Sequence, residues 1–132
     1  MSARTLGLAL AGLLALVGPA AALAPGATRL PLDLRARYGL ASYYCCYFNG
    51  RRAADGSRFD ENGLTAASRT LPFGTRVRVT NILTGRRVVL TITDRGPFRD
   101  QAHRIIDVSL GAARALGGVE RGVFPVEVLP LQ

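Results

Sequence analysis

The segment from Thr75 to Phe98, "TRVRVTNILTGRRVVLTITDRGPF", constrains the fold more than any other. In its first half Val77 and Val79 alternate with Arg76 and Arg78, the period of a strand with one buried and one wet face. Leu83-Thr84-Gly85 supplies a turn, and "RRVVLTIT" returns as the partner strand, with Val88, Leu90 and Ile92 sharing a face. Asp94 falls on the same parity. A strand held to its end therefore points this carboxyl from the core side into a barrel mouth, where desolvation favours the protonated form a general acid needs. "DRGPF" then breaks the strand, because Pro97 cannot donate to a ladder and Gly96 permits an unusual backbone angle.

The remaining elements are short. "LASYYCCYF" is β-rich and aromatic and reads as a first strand, and "NGRRAADGSRFDENG" is a Gly/Asn/Asp-dense loop. "LTAAS" fits a short strand or a helical turn, and "RIIDVS" fits a strand. "SLGAARALGG" is a short helix with Ser109 as N-cap, Leu110, Ala113 and Leu116 as its apolar stripe, and Gly117 as its stop. "GVFPVEVLPL" closes as a last strand, with Pro125 placing part of it at an edge or bulge. Six short strands with one or two short helices imply a compact, mainly β barrel.

The N-terminus reads as a targeting segment. A short cationic start precedes "LGLALAGLLALVG", too short to span a bilayer comfortably, and the small-residue exit "PAAALA". Cleavage after Ala22 is expected, because cutting after Ala24 would put Pro25 just past the scissile bond. No cysteine lies nearby, so no lipid anchor is expected. This divides the chain into a signal peptide, 1–22, a leader or linker, 23–37, and one domain, 38–132. The mature protein is expected to be soluble and periplasmic, without stable membrane insertion, and a monomer.

All 17 basic residues are arginine, and the formal net charge is +8. A basic surface suits acidic partners, and export makes nucleic acid the weakest of these. Cys45 and Cys46 are adjacent, so in a strand they point to opposite faces; a disulfide between them is not expected. With His103 as the sole histidine, no four-ligand zinc set can be assembled, and no metal or cofactor is expected.

From Ala41 to about Gly117, the ordered pattern "LTAAxxTLPFGTxVxVTN" followed by "DRGPF" and "RIID" resembles the RlpA-like (rare lipoprotein A) family. The resemblance implies a six-stranded double-psi β-barrel, a fold shared with expansins. It also implies an envelope location and a lytic transglycosylase acting on peptidoglycan glycan strands poor in stem peptides. In that reaction the MurNAc–GlcNAc bond breaks and the sugar's own 6-hydroxyl closes a 1,6-anhydro ring. The family's Gly-Glu-x-Phe-Asp is here Gly56-Ser57-Arg58-Phe59-Asp60, and the His after "TAA" is here Ser68. The acid of Asp-Arg-Gly-Pro is kept as Asp94, and Asp107 matches the acid of "RIID".

On this basis Asp94 and Asp60 are the expected catalytic residues, and Ser57, Ser68, Arg95, Tyr44 and Phe73 the expected substrate contacts. Each has a plainer reading. Asp94 can hold the turn that follows it. Asp60 can cap the turn into "ENGLT". Asp107 is expected to be structural and paired with an arginine such as Arg95. Tyr43, Tyr44 and Phe73 can pack in the core, and the two serines can stabilise turns. His103 is expected on a surface loop. A non-catalytic, expansin-like glycan-binding barrel is the alternative function.

Overall fold

The computed structural model describes residues 34–131; the expected signal peptide and most of the leader lie outside the described residues. Six strands, β1 (Arg37–Tyr44), β2 (Thr65–Ala67), β3 (Arg76–Asn81), β4 (Arg87–Asp94), β5 (Arg104–Ser109) and β6 (Phe124–Pro130), close into a barrel in the order β1-β5-β2-β4-β3-β6. The β1–β5 and β2–β4 pairs are parallel, and the other four are antiparallel. One helix, α1 (Leu110–Leu116), follows β5 directly, and a single 3₁₀ turn spans Cys46–Phe48.

The alternation read from β3 and β4 holds. Val77 and Val79 on β3, and Leu90 and Ile92 on β4, are at most 1% exposed and meet Ile106, Val108, Phe124 and Val126 inside the barrel. Ser109 caps α1 by accepting from the Ala112 N–H, and Gly117 ends it in the left-handed conformation at φ 69°. The helix buries Ala112, Ala113 and Leu116, whereas Leu110 is only half-buried, so two of the three expected stripe residues hold and Ala112 takes the place of Leu110. Asn81, 1% exposed, fixes the helix end to the β3–β4 hairpin: its side-chain amide donates to the Leu116 carbonyl at 2.9 Å. Pro125 lies one residue beyond the β3–β6 ladder, where β6 is laddered to β1 alone, so it removes no bond from a doubly paired segment.

Two expectations are corrected. The first strand starts at Arg37, the last residue assigned to the leader, and ends at Tyr44 rather than running through Phe48. Cys45 and Cys46 are joined in a disulfide. The opposite-faces argument holds for extended chain only. Here β1 has ended, Cys46 adopts φ 56°, and the turn swings the neighbouring sulfurs together.

Candidate functional site

The site is built where β4, β2 and β5 end side by side. Ala67 on β2 is in register with Asp94 on the parallel β4 and with Asp107 on the antiparallel β5. A register shift after Ala66, which pairs with Ile92, skips Thr93 and brings Asp94 opposite Ala67. The two acids thus flank a residue whose side chain is a single methyl group. Two strand spacings separate their backbones, about 9–10 Å, and their side chains line a common groove.

That groove, about 260 Å³, is lined by Tyr44, Phe48, Ala67, Asp94, Arg95, Phe98 and Asp107. It continues along Gly96, Pro97, Arg99 and Arg104. Phe48, 48% exposed, and Phe98, 66% exposed, stand as its apolar walls. Exposed rings beside carboxylates suit a ligand with both apolar faces and hydroxyls, such as a sugar chain.

The two acids are held differently. Asp94 accepts the Ala54 N–H at 3.1 Å and the Arg95 N–H at 2.8 Å, both on Oδ1. This carboxylate therefore ties down the 53–57 loop as well as its own turn, and Oδ2 makes no hydrogen bond among the described residues. Asp107 accepts the Ser42 hydroxyl at 2.9 Å and lies 4.0 Å from the Arg104 guanidinium, which also donates to Ser42. Burial pushes the Asp107 carboxyl above the usual range; the Ser42 hydrogen bond and Arg104 oppose this, and the charge of Asp94 adds to it.

Tyr44 belongs to the same site. Burial raises its hydroxyl, and the charges of Asp94 and then Asp107 raise it further. The Thr65 and Thr93 hydroxyls lie near enough to ease its ionisation slightly, but neither makes a well-formed hydrogen bond, and the Tyr44 hydroxyl is buried without a partner. It packs on Phe59 at 4.5 Å and meets Phe48 edge-on at 6.1 Å between ring centroids.

The other expected site residues lie around this groove without lining it, Arg95 excepted. Asp60 accepts from the Asn62 N–H at 2.9 Å and caps its own turn. Ser57 is exposed and donates to the Asp55 carboxylate. Ser68 is 5% exposed; its hydroxyl accepts the Thr70 and Leu71 N–H groups, and the residue lines a separate cavity of about 110 Å³ with Arg37, Arg69 and Ile105. Arg95 lines the groove, but its guanidinium donates to the Ser68 and Leu71 carbonyls and lies 3.9 Å over the Phe73 ring. The expected Arg95–Asp107 pair is therefore corrected: the turn carbonyls take Arg95, and Arg104, three residues before Asp107 on the same strand, is its cation. Tyr43 packs against the core and donates to the Val119 carbonyl, and His103 is an exposed loop residue bonded to Asp100.

Sequence reasoning missed Phe48 and Phe98 as groove walls and Asp107 as part of the groove lining. The signal for the rings was their placement beside turn breakers, "FNG" and "GPF", where an aromatic side chain has no strand face to bury. Among the described residues, Cys45, Cys46 and Glu61 bring potential metal-ligand atoms within 4.8 Å of one another, but the two sulfurs are bonded to each other.

Comparison with known proteins identifies the family. Residues 37–128 match the family model described as lytic transglycolase. A probable endolytic peptidoglycan transglycosylase RlpA from Synechocystis sp. is 57% identical over 89 residues, 67% of this chain and 27% of that protein. The endolytic peptidoglycan transglycosylase RlpA of Neisseria meningitidis serogroup A is 47% identical over 90 residues, 68% of this chain and 37% of that protein. The chain thus spans between about a quarter and two-fifths of the length of these relatives. Among solved structures, the Streptomyces papain inhibitor superposes with a TM-score of 0.59 at 23% identity, covering 74% of this chain and 96% of that one. A Clavibacter michiganensis expansin superposes at 0.60 and 19% identity, covering 74% of this chain and 51% of that one. The latter two likenesses concern the fold alone. With its closed six-stranded barrel and a match over residues 37–128, the chain belongs to the lytic transglycolase family and folds as a double-psi β-barrel.

Proposed function

We propose that this chain is an endolytic peptidoglycan transglycosylase that cuts MurNAc–GlcNAc bonds in glycan strands poor in stem peptides and leaves 1,6-anhydro-MurNAc ends. The observation that carries this reading is the pair Asp94 and Asp107 on either side of Ala67, on the floor of an aromatic-walled groove.

The roles divide according to environment. Asp107, raised by burial, holds a proton and gives it to the glycosidic oxygen as the C1–O bond breaks. The 6-hydroxyl oxygen attacks C1, and its proton passes to the Oδ2 of Asp94. Transfer of that proton back to Asp107 resets the pair. Water takes no part, so the spacing rule for hydrolytic carboxylates does not govern this site. The Tyr44 ring backs the groove with its hydroxyl buried beneath it, and Phe48 and Phe98 supply faces for the rings. Asp60, on its own turn, takes no part in this mechanism.

A second reading, glycan binding without cleavage, is favoured by Ser57 and Ser68. These stand where the family resemblance implies a glutamate and a histidine, and the Ser68 hydroxyl is committed to two backbone N–H groups. Incubation with denuded glycan strands, followed by mass spectrometry, decides between the two. 1,6-Anhydro ends establish the first reading; retention of intact strands establishes the second. Either reading places the mature chain in the cell envelope after removal of residues 1–22. N-terminal sequencing of the exported protein tests this, and an intact Met1 would contradict it.

A further inference from the structure

The geometry points to Cys45–Cys46 as a thiol–disulfide exchange site whose co-reactant is a dithiol and whose state sets the aromatic wall of the groove. The disulfide sits at the junction of the last residue of β1, Tyr44, and the 3₁₀ turn that carries Phe48. Tyr44 and Phe48 both line the groove. The turn hangs on this junction: the Phe48 N–H donates to the Cys45 carbonyl and the Asn49 N–H to the Cys46 carbonyl, each at 3.2 Å. The Cys46 N–H donates to Glu61 at 2.8 Å, and the Glu61 N–H donates to the Asn49 side chain at 3.0 Å. Cys46 holds φ 56°, a left-handed conformation that a residue with a β-carbon adopts only when its surroundings impose it. The small ring closed by adjacent cysteines is the covalent part of those surroundings.

Access follows from exposure. Cys46 is exposed and Cys45 half-buried, so an external thiolate reaches the Cys46 sulfur first. It attacks that Sγ, the bond to Cys45 breaks, and the Cys45 sulfur leaves and takes a proton. The second thiol of the dithiol then displaces the Cys46 sulfur, which is protonated in turn. The dithiol leaves as its disulfide, having given its two electrons and two protons to the cysteines. With the ring open, Cys46 is free to return to negative φ. The two turn hydrogen bonds then lose their frame, and Phe48 leaves its edge-on position against Tyr44.

The consequence for glycan binding rests on the proposed function; the exchange and the loosening do not. The test treats the folded protein with dithiothreitol, alkylates it and follows backbone amide exchange over residues 45–50. The expected result is labelling of both sulfurs while β1–β6 keep their protection, with faster exchange at Cys46, Phe48 and Asn49. Affinity for denuded strands is expected to fall about fivefold on reduction, the scale of one misplaced aromatic contact. The Cys45→Ser/Cys46→Ser variant should show the fast exchange without dithiol and no response to it. Labelling only after the barrel unfolds, or equal protection of 46–49 in both states, would overturn the proposal. Oxidised protein that binds no strands would count against the glycan reading instead, and the exchange measurement would still decide this one.

Discussion

Asp94 and Asp107 stand in register with the same residue, Ala67, from the strands on either side of it. A larger residue at 67 would fill the space between the carboxyls, and without the register shift Thr93 would stand in place of Asp94. The parallel β2–β4 pairing and the antiparallel β2–β5 pairing bring together acids that are 13 positions apart in the chain. Their environments then differ: two backbone N–H groups hold one oxygen of Asp94, while Asp107 is buried against a hydroxyl and a guanidinium.

Replacing either acid by asparagine should remove turnover while keeping the barrel. Loss of one general acid or base typically costs about 10²–10⁴-fold in rate. Asp107→Asn is expected to fall in that range, with strand affinity retained. Asp94→Asn should lose as much and also loosen the 53–57 loop, visible as faster exchange of the Ala54 amide. Asp60→Asn should stay within severalfold of the parent, because its carboxylate serves a turn. A loss for Asp60→Asn as large as for the other two would put the proton chemistry elsewhere.

The raised Asp107 fixes the direction of two pH effects. As the acid it must be protonated, so activity should decline as pH rises through its folded pKa. Ser42→Ala removes the hydrogen bond that lowers this pKa, so the alkaline limb should move to higher pH. For stability, the folded state holds this proton more tightly than the unfolded one. The contribution is present below the ordinary Asp value of about 3.9 and is lost as pH rises through the folded value. Asp107→Asn should lack that decline, and denaturant titrations of both proteins across the window will show it. An alkaline limb that ignores Ser42→Ala would remove Asp107 from the acid's role.

Tyr44→Phe separates stability from function. The hydroxyl is buried and unpartnered, so its deletion should leave the melting temperature unchanged or raise it. With the ring kept and the hydroxyl buried out of reach of substrate, turnover and strand affinity should stay within about twofold of the parent. A loss of about tenfold would mean that the hydroxyl reaches a substrate atom after all.

The barrel was legible where its strands alternate regularly. Val77 and Val79 announced β3, Leu90 and Ile92 announced β4, and Ser109 with Gly117 bracketed α1. The site was less so. The parity of Ile92 and Asp94 carried Asp94 to the mouth, but Asp107's place opposite Ala67 depends on a β2–β5 pairing that no local pattern encodes. Arg95 and Arg104 are equivalent on paper; only the turn at Ser68–Leu71, rich in free carbonyls, takes the first and leaves the second to Asp107. Cys45–Cys46 was misread because the strand was extended past Tyr44, where the chain in fact turns.

Ser57 and Ser68 should respond differently when changed toward the residues that the family resemblance implies. Ser57 is exposed on a loop whose neighbour Ala54 is bonded to Asp94, so a longer side chain has open space there. Ser57→Glu should fold normally, apart from repulsion by Asp55, and raise anhydro-product formation on denuded strands. Ser68→His is a different case. The residue is 5% exposed and its hydroxyl satisfies the Thr70 and Leu71 N–H groups. An imidazole must enter the adjoining cavity of about 110 Å³ and replace two acceptor contacts with at most one. Losing one of these part-buried hydrogen bonds costs about 0.5–1.5 kcal/mol, so this variant should melt earlier than the parent. Any gain in rate should therefore come from Ser57→Glu, and the double variant should match its rate at lower stability. Measurement of anhydro ends and thermal melts on all three proteins tests this. A stable Ser68→His variant that alone restores turnover would show that the 68–71 turn can release the site, and that the imidazole, rather than the carboxylate at 57, was the limiting group.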